Sequence, residues 1–520
     1  MRGLVRPRGY ARLAVSVIAG FTGLVAVVAT APVWRLANPT WRLTLPGVPH
    51  PPSPFWAGAV FVAGVSLASL GWIGLVSVLP RLEARRGLLI ASVVFCVWVV
   101  PVLLGPPLLS NDVYSYIAQG EMASRGIDPT QVGPVALGRG DFLYAVDPVW
   151  RTAPAPYGPL SILTSEGLVR LSGHEPSGAM WYFRGLYTLG VIAAGIGVVA
   201  IARTHRVPPG SALALAILNP LVLIYLIGGV HNDALMVGFL SLGLAAYCRD
   251  KRLLAVVLLT GAIAVKLPAA LALATVAWAW AGPGASWRRR LRVAAVVFGG
   301  SAIVLATLCV LAGVGIGWIT ALKNTGKVMD TFSVMTILGY FASDLVHLAG
   351  VGRDNPEVMV APIRMLGVVI GGVTAIWLIT NVERLGVVRA VGLATFIMVV
   401  LSPVVWPWYL PAAFVLLAAS GVGRYQPSYL VLVVSITFLV WPTSVPPFDW
   451  LLRFQRVASF FVILLIGGAA WAAQAIAHRR ARSLGCANPL SAGTKAPVNG
   501  EWWGGRVAEA GLLDGPVECR

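Results

Sequence analysis

Charged side chains make up only 11% of this 520-residue chain, whereas a soluble protein carries about 25%. This deficit excludes an ordinary soluble domain. The 58% of hydrophobic residues and a mean hydropathy of +0.80 indicate a protein with many membrane-spanning helices. The net charge of +19 does not indicate a nucleic-acid partner, because the basic residues occur in short clusters between apolar runs rather than along one stripe.

Cysteine is also scarce. The five cysteines have no metal-ligand spacing, and three of them lie in or beside apolar runs, where a thiol is usually a small core residue. We therefore predict no structural disulfide and no cysteine chemistry. The sequence also lacks a glycine-rich phosphate loop and an internal repeat of the kind that marks a two-fold transporter.

Long apolar runs, by contrast, are abundant. Runs of about 15 to 25 residues are candidates for membrane helices, and the sequence predicts about 12 to 14 such helices. The runs lie near residues 13–34, 56–80, 87–109, 184–202, 211–229, 234–248, 253–266, 268–282, 293–317, 361–380, 388–405, 407–421, 427–441 and 456–477. Basic clusters between them all fall on one side. Since such clusters favour the cytoplasm, we predict a multi-pass plasma-membrane protein with both termini cytoplasmic.

The stretch from Leu253 to Ala281 tests this topology, because basic clusters flank both of its ends. Two full spans need about 20 residues each, and the stretch is too short for that. Lys266 and Pro268 interrupt it at the middle, where a proline breaks a helix. The sequence therefore predicts either two short, tilted helices with Lys266 near their outer turn or a single tilted helix.

Acidic residues concentrate in one segment. Seven of the twenty acids lie between residues 110 and 180, on the predicted outer side. A connection this long is usually functional, so we interpret 110–180 as the catalytic outer loop of a transmembrane domain that covers residues 1–481. A second outer loop is predicted at 318–360. Residues 482–520 change to Gly, Pro, Ala and mixed charge and are predicted to form a disordered cytoplasmic tail.

Asp112 is the first acid after a run, from Gly87 to Leu109, that contains no charge. An ionisable carboxylate beside hydrocarbon is costly unless it has a partner or a function. A membrane enzyme that acts on lipid-linked substrates needs such a group at the lipid–water boundary. We interpret Asp112 as a general base for an acceptor hydroxyl. The alternative is an N-cap, in which Ser110, Asn111 or Asp112 accepts a backbone N–H of the next helix.

Two aromatic segments are further candidates for binding. In the proline-rich segment 147–160, rings such as Tyr157 suit stacking on sugar faces, and Arg151 suits a phosphate or a pair with Asp147, unless the segment is only a packed loop. Segment 401–409 also combines prolines with aromatic rings. It is typical of an aromatic belt at the outer interface, unless its rings line a lipid groove.

A polar turn with the sequence His231-Asn232-Asp233 separates two apolar runs on the predicted outer side. Facing Asp112, these side chains would orient an acceptor or bind a divalent metal. A tight turn in which Asn232 or Asp233 caps the next helix explains the pattern nearly as well. His231 is the residue that capping does not need.

Lys266 is the most isolated cation in the apolar sequence. Intramembrane lysines are functional hypotheses by default, and a phosphate is a natural partner. The alternatives are that Lys266 snorkels outward or pairs with an acid such as Asp233. Rival phosphate ligands are the basic residues in and beside the second outer loop, Lys323, Lys327, Arg353 and Arg364.

Four stretches together resemble one known family. Residues 111–120 (NDVYSYIAQG), 148–160, 228–233 (GGVHND) and 265–268 (VKLP) are similar to stretches of actinobacterial polyprenyl-phosphomannose-dependent α-1,6-mannosyltransferases. Each stretch is weak alone, whereas the combination is specific. The resemblance covers most of the membrane region, and the chain after Arg482 matches nothing in it.

The resemblance implies an all-α, GT-C-type membrane glycosyltransferase with a large first extracytoplasmic loop that carries the catalytic acid. Such enzymes transfer a sugar from a polyprenyl phosphate to a glycolipid or glycan, and in this family the product is the mannan backbone of lipomannan and lipoarabinomannan. The catalytic acid maps onto Asp112. The matching stretches supply the expected substrate-binding residues, Tyr114, Arg151, Tyr157, His231, Asn232, Asp233 and Lys266.

The implied reaction is a single displacement with inversion. Asp112 deprotonates the acceptor 6-hydroxyl, the lipid phosphate leaves, and a cation such as Lys266 stabilises its charge. No cofactor is certain, and since GT-C members differ in metal dependence, a divalent metal stays open. Two alternatives also stay open: a transferase with another donor, such as polyprenyl-phosphoarabinose, and a lipid-linked sugar transporter or flippase, which predicts repeats and broken helices in both halves.

Overall fold

The computed structural model describes residues 7–33, 47–325, 333–350, 357–440 and 455–483. Within these ranges the chain forms helices and no strand. The α-helices are α1 (Pro7–Thr30), α2 (Pro54–Val78), α3 (Ala84–Leu104), α4 (Asp112–Ser124), α5 (Asp141–Ala145), α6 (Pro159–Leu171), α7 (Pro176–Thr204), α8 (Pro209–Ala216), α9 (Asp233–Tyr247), α10 (Arg252–Val265), α11 (Ala270–Ala281), α12 (Trp287–Leu311), α13 (Gly317–Thr325), α14 (Val334–Leu348), α15 (Val360–Thr380), α16 (Val382–Leu385), α17 (Val387–Val400), α18 (Pro411–Ala419), α19 (Gln426–Thr437) and α20 (Gln455–Ser483). The predicted tail lies outside the described residues from 484 onward.

Every apolar run predicted from the sequence forms a helix or a pair of short helices. Among the described residues, seven helices are long and apolar enough to span a membrane. The bent pair Val222–Gly228 and Asp233–Tyr247, with an angle of 114° at its break, adds an eighth candidate. These are fewer than the 12 to 14 predicted, because prolines and polar turns divide several runs into helices shorter than the about 20 residues that a span needs. The protein is therefore an all-α, multi-pass membrane protein.

The two predicted outer loops contain helices of their own. Residues 110–180 contain α4, α5, α6 and the start of α7. Helix α4 packs along α6, and both contact α7. In the second loop, the described part contains α13 and α14. The segment that carries seven of the twenty acids thus forms a small set of helices packed against α7.

A buried π-helix, Val222–Gly228, lies at the centre of the bundle. Its surroundings are fixed by side chains that donate to main-chain oxygens: Trp72 Nε1 lies 2.9 Å from the carbonyl oxygen of Ala214, and the Tyr225 hydroxyl lies 2.9 Å from that of Thr437. π-Helical turns are rare and occur frequently at functional sites. This one directly precedes the turn that contains His231.

Helices α7 and α9 touch through their backbones at two glycines. A Cβ added to Gly190 of α7 would lie 2.7 Å from the carbonyl oxygen of Ala234, and one added to Gly238 of α9 would lie 2.6 Å from that of Gly190. Small residues allow such approach between membrane helices. Because α9 begins at Asp233, this contact also fixes the position of that carboxylate.

We expect Gly190→Ala to destabilise the protein by about 1–3 kcal/mol, because the new methyl group has to displace backbone atoms of α9. Gly185→Ala is the matched control on the same helix, since a Cβ there meets nothing within 4 Å. Thermal unfolding of the purified proteins in one detergent measures both effects. Equal melting temperatures for the two variants would contradict the close contact.

Candidate active site

Asp112 is the first residue of α4. Its own backbone N–H lies 3.1 Å from Ser110 Oγ, which accepts it, and Asn111 at the N-cap position makes no side-chain cap. Asp112 therefore does not act as the N-cap, and its carboxylate is available for other contacts. Leu109 reaches this turn with φ of +58°, a conformation that costs energy for a residue other than glycine.

His231 brings an imidazole to Asp112. The side chain is fully buried, and Nδ1 lies 2.6 Å from the carbonyl oxygen of Tyr225 in the π-helix. Because a carbonyl only accepts, Nδ1 carries the proton and Nε2 presents a lone pair. Nε2 lies 3.7 Å from Asp112 Oδ2. Val230, just before His231, has φ of +55°, a strained value for a β-branched residue that the buried turn imposes.

The buried setting shifts the acid–base behaviour of Asp112. Burial raises the pKa of its carboxyl to about 6, the positive charge of Lys266 lowers it in part, and the negative charge of Asp233 raises it. A carboxylate with a pKa near 6 is ionised at neutral pH and is a stronger base than a solvated aspartate. This is the range in which a general base works well.

Lys266 and Asp233 form a buried ion pair next to this carboxylate. Lys266 Nζ lies 2.9 and 2.8 Å from the two Asp233 carboxylate oxygens and 4.4 Å from the centre of the Tyr409 ring. The pairing of Lys266 with an acid, one of the alternatives from the sequence, is thus what the structure shows. The chain breaks at Lys266 between α10 and the turn that leads into α11, which confirms two short helices rather than one.

Segment 110–180 reaches the same place through Tyr157. The backbone N–H of Gly158 donates to the carbonyl oxygen of Val265 at 3.1 Å, beside Lys266. The ring of Tyr157 packs edge-on against Tyr116, with centres 5.1 Å apart. Burial raises the pKa of the Tyr157 phenol well above its usual value, and the charge of Asp112 raises it further, so the hydroxyl stays protonated.

Asn232 completes this side of the site. Tyr116 OH lies 3.5 Å from Asn232 Oδ1. The N-cap position of α9 belongs to Asn232, yet its side chain makes no cap bond. Capping by Asn232 therefore does not explain the polar turn.

Two tryptophans that were not among the expected binding residues belong to the site. Trp408 stacks on His231 with ring centres 4.1 Å apart, and Trp406 stacks on Trp408 at 5.0 Å. From the sequence, these rings were expected either to form an aromatic belt at the outer interface or to line a lipid groove. Their prolines and aromatic spacing were the available signal, but nothing in the sequence places residue 408 beside residue 231.

Two expected binding residues make other contacts. Arg151 donates to the carbonyl oxygens of Val146 (3.0 Å) and Tyr144 (3.1 Å), so its guanidinium organises its own loop. Tyr114 is buried in the first turn of α4. Burial raises the pKa of its phenol to about 12, and the charge of Arg184 opposes part of that rise.

Four basic residues were predicted as rival phosphate ligands. Among the described residues, no hydrogen bond or ion pair joins Lys323 or Arg364 to Asp112. Arg364 Nη2 donates to the carbonyl oxygen of Pro403 at 2.9 Å, and Lys323 is exposed on α13. Lys327 and Arg353 lie outside the described residues.

Three buried polar atoms around Asp112 have no hydrogen-bond partner within the described chain: Asn111 Oδ1, His231 Nε2 and Asn232 Nδ2. Buried polar atoms are nearly always satisfied in folded proteins. Hydroxyl groups of a sugar, which both donate and accept, match this set. The described residues contain no group of three or more His, Cys, Asp or Glu side chains arranged to hold a metal ion.

The fold and this site define a multi-pass membrane protein in which a partly buried carboxylate meets a fully buried imidazole, an arrangement suited to acid–base chemistry on a hydroxyl-bearing substrate. Comparison with known proteins gives the family. Residues 16–282 match the profile described as "Alpha-(1->6)-mannopyranosyltransferase, N-terminal domain", and residues 335–475 match "MptB C-terminal domain". The chain belongs to this family of membrane mannosyltransferases.

Individual relatives agree with this assignment. Alpha-(1->6)-mannopyranosyltransferase A of Mycobacterium tuberculosis is 32% identical over 364 residues, which cover 66% of this chain and 68% of that protein. Alpha-(1->6)-mannopyranosyltransferase B of Corynebacterium glutamicum is 29% identical over 443 residues, covering 78% and 73%. The family resemblance seen in the four sequence stretches is thereby confirmed.

Proposed function

We propose that this enzyme transfers mannose from a polyprenyl-phosphate carrier to the 6-hydroxyl of a mannan or mannosylated glycolipid, forming an α-1,6 linkage with inversion. The observation that carries the proposal is the contact between Asp112 Oδ2 and the lone pair of His231 Nε2. Asp112 lies just after the segment that follows membrane helix α3. Asp112 makes no N-cap bond there and carries a raised pKa. Asp112 is the general base of the reaction.

The acceptor sugar binds between Asp112 and His231. One hydroxyl donates to the carboxylate, and a second hydroxyl of the same sugar donates to the lone pair of Nε2, which lies 3.7 Å from Asp112 Oδ2. Asn111 Oδ1 accepts from a neighbouring hydroxyl. As the acceptor oxygen attacks the anomeric carbon, its proton passes to the Asp112 carboxylate, and the bond from the anomeric carbon to the phosphate oxygen breaks.

The donor phosphate binds on the side of Lys266. Asp233 holds Lys266 from one side, so Nζ keeps a fixed position near the reacting atoms. The remaining donor capacity of the ammonium group, together with Asn232 Nδ2, stabilises the charge that develops on the leaving phosphate. The ring of Tyr409 against Nζ limits the approach of water to this cation.

The reaction takes place at the outer face of the plasma membrane, with both chain termini cytoplasmic. Support comes from the basic clusters, which favour the cytoplasm and leave residues 110–180 on the other side. A polyprenyl-linked donor suits that location, since it needs no nucleotide pocket.

The test is transfer by the purified enzyme from polyprenyl-phosphomannose to a synthetic α-1,6-mannoside, with polyprenyl-phosphoarabinose as the competing donor. We expect mannosyl transfer only, with an α-1,6 linkage in the product by NMR. Arabinosyl transfer in place of mannosyl transfer would identify a different donor. Donor movement across vesicles without any transfer would identify a transporter.

A further inference from the structure

Arg184 lies within α7 and is one of the largest fully buried side chains, with 1% of its surface exposed. Burying a guanidinium is costly unless it is paired and hydrogen-bonded. Among the residues that the structure describes, Arg184 makes no salt bridge, and its Nε and Nη2 have no hydrogen-bond partner. The contacts of the buried Arg184 guanidinium indicate what this side chain does in the fold.

Those neighbours are the last carbonyls of α3. Arg184 Nη1 donates to the carbonyl oxygen of Leu103 at 3.0 Å and also to that of Gly105. The final carbonyls of a helix have no partner within it, and Pro106 and Pro107 prevent the helix from continuing. The guanidinium therefore caps α3 from a neighbouring helix, while Trp181 covers it with its ring centre 5.2 Å away.

The capped end of α3 is the start of the segment that carries Asp112. Only residues 105–111 separate α3 from α4, and this segment is tied down again where the Leu108 N–H donates to the Gly228 carbonyl oxygen at 3.0 Å. Leu109 follows in its strained conformation. The charge of Arg184 is also felt by Tyr114 in the first turn of α4. Arg184 thus contacts the beginning of the segment that leads to Asp112.

We propose that Arg184 is a positioning residue: by capping α3 it sets the path of residues 105–111 and thereby holds the Asp112 carboxylate at its distance from His231 Nε2. This inference rests on the proposed role of Asp112 as the base. The hydrogen bond from Leu108 to Gly228 holds the middle of segment 105–111, and the Arg184 guanidinium holds its first residue, Gly105. A strained turn such as Leu109 persists only where the surrounding structure over-determines it.

The test compares Arg184→Met and Arg184→Lys with wild type in steady-state mannosyl transfer by full-length protein in lipid nanodiscs. Displacing a catalytic group by about 1 Å can cost about 100-fold in rate. We expect kcat of Arg184→Met to fall by about that factor, with KM for donor and acceptor within threefold. The lysine variant, which keeps a charge and N–H donors, should recover part of kcat. Arg203→Met, an exposed arginine in the last turn of the same helix, is the control with unchanged kcat.

The pH profile distinguishes positioning from mere support of the fold. If Asp112 moves relative to His231 and Lys266, the acidic limb of kcat shifts in the folded Arg184 variants. The inference is overturned if kcat per folded enzyme and the acidic limb both match wild type, or if activity lost in either variant equals the loss of folded protein. Asp112→Asn, assayed in parallel, separates the two ideas: full activity there removes the proposed base, whereas an inactive Asp112→Asn with a normal Arg184→Met removes only the role of Arg184.

Discussion

Asp112→Asn is expected to lower kcat by about 100- to 10,000-fold, the range that general-base catalysis contributes. The amide keeps the size and polarity of the side chain but cannot take the proton of the attacking hydroxyl. Folding should be preserved, because the Asp112 side chain makes no N-cap bond and the amide can still meet His231 Nε2 as a donor. Donor binding should be unchanged.

The matched control is Asp141→Asn. Asp141 is also the first residue of a helix in segment 110–180, α5, and it is exposed. Its variant should transfer mannose at the wild-type rate. An Asp112→Asn enzyme as active as the control would reduce Asp112 to a structural residue.

The pH dependence of wild-type kcat tests the same assignment. Because burial raises the pKa of Asp112 to about 6, the base is ionised above that pH and protonated below it. The rate should therefore be level near pH 7 and fall about tenfold per pH unit below about 6. Asp112→Asn should lose this acidic limb in its residual activity. A limb near pH 4 in wild type would indicate a solvated base instead.

Lys266→Met is expected to lower the free energy of unfolding by about 3–5 kcal/mol, the usual cost of removing one partner of a buried ion pair. Asp233, with only 2% of its side chain exposed, would be left as an unpaired buried carboxylate. The control is Glu83→Gln. This removes the exposed pair between Glu83 and Arg86, whose atoms are 3.8 Å apart, and exposed pairs contribute about 0–1 kcal/mol. Chemical denaturation in mixed micelles measures both.

The double variant Lys266→Met/Asp233→Asn separates stability from donor binding. With both charges gone, no unpaired charge remains, and most of the lost stability should return. Activity should not return, because the cation proposed to face the leaving phosphate is missing, and KM for the proposed polyprenyl donor should stay high. Recovery of normal transfer together with stability would show that the pair serves the fold alone.

The membrane helices could be predicted from the sequence because their signal is local. An apolar run forms a helix in hydrocarbon since its backbone groups must pair within the segment, and every predicted run does so. The break at Lys266 followed from a proline and a charge, and Asp112 was singled out as a candidate base by its position after an uncharged run. The apolar runs did not reveal which of the helices are long enough to span the membrane.

The composition of the site could be predicted only in part. His231 was marked because helix capping does not require it, and Lys266 because it is isolated, but their partners follow from packing. Lys266 pairs with Asp233 because α10 packs along α9, and Trp408 stacks on His231 because the chain before α18 contacts the buried π-helix. Residues far apart in sequence come together there.

The sequence by itself determined that this chain is a membrane protein and which family it resembles. It also singled out Asp112 as the candidate general base. These are properties of composition and of short stretches, which act without regard to the rest of the chain. The tertiary structure alone decided that Asp112 faces the lone pair of His231, that Lys266 is held by Asp233, and that Arg184, at the start of a predicted apolar run, caps α3. Distances of a few ångströms between helices depend on how whole faces pack, and no local pattern carries that information.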